Sequence, residues 1–177
     1  MKNKKLILIL VVVAVLAAVG WWFTRPASPS GKSSISHNGI EVSVSYSRPY
    51  KKGRVIFGEA SVGALQPYGQ YWRLGANAAT EITFNRDVKF AGEQVKAGTY
   101  RMYAVPGAKM WSITLNSALG QSGADLPDNN LDVVKVDVQP RASDMELEQL
   151  TINFAPGGAG VIMEIKWDFV IVAVEIS

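Results

Sequence analysis

Between Arg48 and Glu81 the chain concentrates the residue types that hold polar ligands. Arg48-Pro49-Tyr50-Lys51-Lys52-Gly53-Arg54 is followed by Pro67-Tyr68-Gly69-Gln70-Tyr71-Trp72-Arg73-Leu74-Gly75-Ala76-Asn77. Arginine forks grip carboxylates and phosphates, and aromatic faces stack on sugars or peptide planes. Arginine and aromatic side chains set among glycines are costly to bury without partners, and those partners are either internal carboxylates or a ligand. Arg54, Trp72, Arg73 and Asn77 are therefore expected to converge and to mark a ligand-binding site. The same residues also have a purely structural reading. A long connection crossing the end of a β-domain needs internal hydrogen bonds, which Arg73 paired with Glu59 or Glu81 would supply, while Trp72 would plug the core.

Other chemistries find less support. The chain has no cysteine and one histidine, His37, so zinc would have to rely on carboxylates, and a Ser-His-Asp triad on that one imidazole. Gly31-Lys32-Ser33 has the ending of a phosphate-binding loop, but Pro26 stands where its first glycine belongs and no strand precedes it. The acidic run Asp125-Leu126-Pro127-Asp128-Asn129-Asn130-Leu131-Asp132 offers oxygen ligands suited to calcium, yet lacks the glycine and closing glutamate of an EF-hand loop. It reads as a solvated turn, and no metal or cofactor is expected. Carboxylate-pair hydrolysis would have to draw on Glu59, Glu81 and Asp87.

The elements that must position these residues are strands. Ile40, Val42, Val44 and Tyr46 alternate with Glu41, Ser43 and Ser45, as a half-buried strand requires. Similar runs occupy Arg54–Phe57, Thr80–Phe84, Val88–Phe90, Gln94–Lys96, Thr99–Val105, Trp111–Leu115, Val133–Val138, Leu150–Phe154, Val161–Trp167 and Phe169–Ile176. Turn residues separate them, including Ala97-Gly98, Pro106-Gly107 and Pro156-Gly157-Gly158. Ser143 and Glu146 have capping-box spacing and predict one helical turn over Ser143–Leu147. The pattern predicts an all-β domain over residues 39–177, an antiparallel, barrel-like β-sandwich. Its expected core includes Val42, Val44, Ile82, Phe84, Tyr100, Met102, Ile113, Val136, Ile152, Phe154, Ile165 and Trp167.

Before the domain, Thr24–Asn38 is rich in Ser, Pro and Gly and reads as a flexible tether. Before that, the eighteen residues Leu6–Phe23 carry no charge and follow Lys2, Lys4 and Lys5. As a helix they would span about 27 Å, close to a bilayer's hydrocarbon core. Residues 1–5 are then a cytoplasmic tail, Leu6–Phe23 a single-pass signal anchor in the inner membrane, and the remainder extracytoplasmic (periplasmic). Trp21, Trp22 and Arg25 sit where an interfacial belt belongs. The alternative is a signal peptide cut before Trp21, after the small residues Ala18 and Gly20, which would release a secreted domain.

The sequence pI near 9.1 is misleading, because without the three leading lysines the 18 basic residues fall to 15, equal to the 15 acidic ones. A neutral exported part argues against nucleic acid as a partner. Residues 46–109 carry ten Lys/Arg against four Asp/Glu, and residues 125–148 seven Asp/Glu against Lys135 and Arg141, as two solvated regions of opposite sign.

Ser47-Arg48-Pro49, Lys52-Gly53-Arg54-Val55-Ile56-Phe57-Gly58, Pro67-Tyr68-Gly69, Trp72-Arg73 and Gly75-Ala76-Asn77 resemble the uncharacterised domain-of-unknown-function family 2911. Thr80-Glu81-Ile82, Ala97-Gly98-Thr99-Tyr100, Pro106-Gly107, Trp111 and Trp167 follow in matching order, and the resemblance runs from about Ile40 to Ile176. Leu119-Gly120 departs from an expected Trp-Gly. The resemblance implies a bacterial envelope β-domain and carries no catalytic residues with it. Together these readings favour a membrane-anchored, extracytoplasmic module that binds an unidentified ligand or envelope protein without chemistry. The alternatives are an envelope hydrolase using a carboxylate pair, and an assembly protein that offers a sheet edge to a partner strand.

Overall fold

The structure is a computed structural model that describes residues 10–15 and 28–177. Residues 10–15 are helical and exposed. The rest of the expected membrane span Leu6–Phe23 lies outside the described residues, as do residues 1–5 and 24–27. Among the described residues, no helix is long and apolar enough to cross a membrane.

The period-two patterning gives strands β1 (Ser30–His37), β2 (Ile40–Ser47), β3 (Phe57–Gly58), β4 (Gln66–Pro67), β5 (Thr80–Phe84) and β6 (Val88–Phe90). They are followed by β7 (Glu93–Val95), β8 (Gly98–Val105), β9 (Trp111–Asn116), β10 (Asp132–Val138), β11 (Arg141–Gly157) and β12 (Gly160–Ile176). Six form one antiparallel sheet in the order β1-β2-β5-β8-β9-β10, and four form a second in the order β11-β12-β6-β7. The short β3–β4 pair is parallel. The architecture is all-β, as the sequence predicts.

One core lies between the sheets. Ile40, Val42, Val44 and Tyr46 of β2, Ile82 and Phe84 of β5 and Ile113 and Leu115 of β9 share it with Val161, Met163, Ile165 and Trp167 of β12. Burying one such side chain contributes about 1.5–3 kcal/mol, so these alternating residues select the fold. Eleven of the twelve expected core residues are buried; Phe154 is half-buried at the margin.

Three local readings need correction. The expected tether Thr24–Asn38 contains β1, paired with β2 from Ser30↔Ser47 to His37↔Ile40. Asn38 and Gly39, at φ 50° and 78°, form the two-residue turn that the right-handed twist of a hairpin favours. The expected helical turn at Ser143–Leu147 is part of β11, where Ser143 Oγ accepts from Met145 N–H and the register with β12 shifts between Ala142 and Thr151. Arg54–Phe57 is mostly irregular, and only Phe57 enters a strand.

The last two expected strands are one strand, β12, with a bulge. Inward side chains are odd-numbered up to Trp167 and even-numbered from Val170 to Ile176, and Asp168 sits between them at φ 56°. That change of parity keeps both apolar halves on the core, because a one-residue slip would turn one of them to solvent. β12 also meets its own beginning, since a Cβ on Gly160 would overlap the carbonyl oxygen of Ile176. Gly160→Ala is expected to destabilise the domain by about 3 kcal/mol, the upper range for overpacking against an unyielding neighbour. Urea unfolding checks this, and a loss below about 1 kcal/mol would mean that this closure is not needed.

Candidate functional site

The segment after β4 crosses the end of the sandwich and is fixed by Trp72. Its N–H donates to Ala104 O at 2.7 Å and its carbonyl accepts from Ala104 N–H at 2.8 Å, attaching the segment to β8. The indole, 2% exposed, stacks on Trp167 of β12 at 5.9 Å and meets Trp111 of β9 edge-on at 5.8 Å and Phe57 at 5.4 Å. Aromatic pairs of this geometry contribute about 0.5–1.5 kcal/mol each beyond the area they bury. Among the described residues, neither the Trp72 nor the Trp167 indole N–H, both buried, has a hydrogen-bond partner.

Beyond Trp72 the backbone is strained. Leu74 and Asn77 have φ of 52° and 59°, a region that costs a bulky residue about 1–2 kcal/mol. Their carbonyls are held, Leu74 O by Thr80 Oγ1 at 2.9 Å and Asn77 O by Gly123 N–H at 2.9 Å. Gly75 passes so close to β2 that a Cβ there would lie 2.9 Å from Ser47 O.

These constraints shape a cleft of about 590 Å³ whose walls include Lys52, Arg54, Tyr71, Arg73 and Asn77, with Trp72 and Trp167 behind them. All four residues singled out from the sequence, Arg54, Trp72, Arg73 and Asn77, line it. Among the described residues, its cationic residues are Lys52, Arg54 and Arg73, and no Asp or Glu lines it. Arg54 donates through Nε to Lys51 O at 2.9 Å and through Nη2 to Tyr50 O, which fixes its guanidinium without neutralising its charge. The expected pairing of Arg73 with Glu59 or Glu81 does not form. Among the described residues neither acid makes an ion pair with it, and Glu81 Oε1 instead accepts from Gly120 N–H at 3.0 Å. The stem of Arg73 lies on Gly123, where a Cβ would come within 2.7 Å of its Cδ.

The other cations of the segment hold the fold. Arg48 donates to Leu150 O and Thr151 Oγ1, both at 3.2 Å. Lys51 Nζ bridges Asp168 at 2.6 Å and Glu146 at 2.7 Å, and its pKa is raised by these two hydrogen bonds, that from Asp168 first. Lys51 thereby clamps the loop bearing Lys52 and Arg54 onto the β12 bulge. Asp87, the third candidate carboxylate, is held below its ordinary pKa by Lys96 Nζ at 2.7 Å and then by Ala97 N–H.

A second polar cluster escaped the sequence reading. Arg101, 2% exposed, lies on the face of β8 opposite Met102. Its Nη2 donates to Tyr71 Oη at 2.7 Å and to Asp125 O, and Tyr71 Oη in turn donates to Gly123 O at 3.1 Å. A buried guanidinium therefore stands directly behind the cleft wall. Beside it Tyr103 Oη donates to both oxygens of Asp132, at 2.8 and 2.9 Å, and Asn116 donates to Asp132 as well. The acidic loop is thus tied down by hydrogen bonds, and among the described residues no three His, Cys, Asp or Glu side chains gather as a metal site. The available signal was a charged residue within Tyr100-Arg101-Met102-Tyr103, otherwise a buried-strand pattern.

The family model described as "Protein of unknown function (DUF2911)" matches residues 28–176. The chain belongs to this family. The match spans β1 to β12 and contains every residue that lines the cleft. Comparison with curated proteins and with solved structures gave no match.

Burial, followed by the Asp132 hydrogen bond, pushes the Tyr103 phenol up to about 12 from 10.0. The folded state keeps this proton where an unfolded chain has lost it. The stability so contributed is complete below pH 10 and is lost as pH rises toward 12. Urea unfolding between pH 9 and 12 is expected to show a steeper fall for the native protein than for Tyr103→Phe. Equal slopes would remove the phenol from the account.

Proposed function

We propose that this family member is a membrane-anchored, extracytoplasmic β-domain whose end cleft binds an anionic ligand without chemistry. The observation that carries the reading is that Lys52, Arg54 and Arg73 line one cleft with no carboxylate among its lining residues. Glu148 lies nearby, accepting from the Lys52 backbone N–H at 2.8 Å, but among the described residues none of the three cations makes a side-chain ion pair. Cations so gathered repel one another, and an anion relieves that repulsion. The charge-free run Leu6–Phe23 behind Lys2, Lys4 and Lys5 supports the anchor and its orientation. A hydrolase reading is weaker, because Glu59, Glu81 and Asp87 all lie outside the cleft lining and Asp87 is engaged by Lys96.

Two measurements test this. A phosphatase-type reporter fused after Ser177 is expected to be active only outside the cytoplasm, and activity of a cytoplasmic reporter would reverse the topology. Thermal-shift titration of the full chain with phosphate, acetate, acidic peptides and neutral glycans is expected to favour the anions. Arg73→Gln should weaken anion binding at least about tenfold, the loss expected for one charge-assisted hydrogen bond. It should leave the ligand-free Tm within about 3 °C, since no buried carboxylate is left unpaired. Preferential binding of neutral glycans, or anion binding indifferent to Arg73, would defeat the proposal.

A further inference from the structure

Because β1 begins at Ser30 and Pro29 O accepts from Arg48 N–H at 2.7 Å, the chain joins the fold much earlier than a tether ending at Asn38 would allow. Ser28 itself lines the cleft. Phe23 closes the apolar run, and five peptide steps separate it from Ser28. Whatever path they follow, they reach at most about 18 Å. An anchored chain therefore cannot hold the cleft far from the bilayer. β1 runs away from that end for eight residues, about 27 Å, to the Asn38-Gly39 turn. There His37 Nε2 lies 3.3 Å from Gly158 O, so both hairpin tips mark the opposite end of the domain.

The loop between Arg54 and Leu65 adds an independent observation. Both of these residues line the cleft, and between them Val55 and Val62 are 48% and 60% exposed. Both valines flank Gly58, where a Cβ would lie 3.3 Å from Val62 Cγ2 and 3.8 Å from Val55 Cγ1. Exposed apolar side chains beside Lys52 and Arg54 suit a bilayer interface, with apolar groups at the acyl boundary and cations among phosphates, while the loop's one acid, the exposed Glu59, opposes two cations there.

Resting on the anion-binding and anchored readings above, we propose that the cleft faces the membrane and takes the phosphate of a phospholipid headgroup. Lys52, Arg54 and Arg73 supply the charge, with arginine suited to bidentate contact with phosphate oxygens. The lip of Val55 and Val62 rests against the acyl boundary. Short reach selects the membrane's own phosphates, the anions present at highest density within that distance.

The test exploits the absence of cysteine. The full chain carrying Ser61→Cys on the lip, or Ala159→Cys at the far turn, is labelled with a fluorophore and reconstituted into phosphatidylcholine vesicles containing a headgroup nitroxide quencher. The Ser61 label is expected to be quenched at least about threefold more than the Ala159 label. In a phosphate-free detergent, tryptophan fluorescence is titrated with dihexanoyl phosphatidylglycerol, glycerol phosphate and inorganic phosphate. The phospholipid is expected to half-saturate at a concentration at least about tenfold lower than either free anion, and Arg73→Gln should remove that advantage. Equal quenching at the two positions, or free anions binding as tightly as the phospholipid, overturns the membrane-facing assignment and leaves the anion cleft standing. Loss of response to all three probes overturns both.

Discussion

Trp72 is the joint on which the rest of the molecule turns. Its backbone is paired with Ala104 in the six-stranded sheet, while its ring stacks on Trp167 in the four-stranded sheet. Trp111 and Phe57 complete the aromatic group, so one side chain links both sheets, the β3–β4 pair and the cleft. An antiparallel sandwich is open at its ends, and a long connection across such an end has few ladder hydrogen bonds to hold it. Here aromatic burial does that work. Removing a buried tryptophan costs about 3–5 kcal/mol, a large share of a domain's total stability. The structural and functional readings of this segment are therefore complementary, because the plug that closes the core also forms the back of the cleft.

Charge is divided on the same logic. Arg48 and Lys51 are spent on internal partners, the backbone of β11 and the carboxylates of Asp168 and Glu146. Lys52 and Arg54, one and three residues past Lys51, make no side-chain ion pair among the described residues and line the cleft with Arg73, although the Lys52 backbone N–H donates to Glu148 Oε1 at 2.8 Å. Arg101 is the extreme case, since among the described residues it is buried without an ion pair and held by a phenol and a carbonyl. Desolvating a cation is costly unless its hydrogen bonds are well made. Among the described residues the Arg101 Nε has no partner, so the hydrogen-bond compensation is incomplete, and the acid nearest in register is Glu81, directly across on β5.

The sheets were legible because alternation is a strong, local signal. Ile40, Val42 and Val44, or Ile82 and Phe84, declare a buried face whatever their neighbours do. β1 was hidden because Ser30–His37 has one apolar residue, Ile35, and the apolar pattern carries no weight there. What builds that strand is the Asn38-Gly39 turn and the free edge of β2, and Asn-Gly was the readable sign. The bulge at Asp168 looked like a strand boundary, since a change of parity in sequence resembles two elements separated by a turn. The four cleft residues were legible from residue type within one segment. Trp167, Gly123 and Arg101 were not, because they reach the site from β12, the loop after β9 and the back of β8. No spacing along the chain encodes that meeting.

The strain at Leu74 and Asn77 connects these points. Two non-glycine residues at positive φ within four positions would relax in a loop held only at its ends. This loop is held in its middle: by Trp72 on one side of Leu74, by Thr80 at its carbonyl, and by Gly123 at the carbonyl of Asn77. Gly75 and Gly123 fit where a Cβ would collide with Ser47 O, Arg73 or Asn77 O, so the close contacts depend on those residues having no side chain. A loop fixed so firmly has little conformational freedom left to lose on binding. Ordering a flexible loop would subtract from affinity, about 0.5–1.5 kcal/mol for each rotamer-rich side chain immobilised. Here much of that cost is met during folding, by the same aromatic burial that closes the sandwich. The side chains of this loop that line the cleft, Arg73 and Asn77, are then presented from a rigid backbone, the arrangement that the proposed binding role would need.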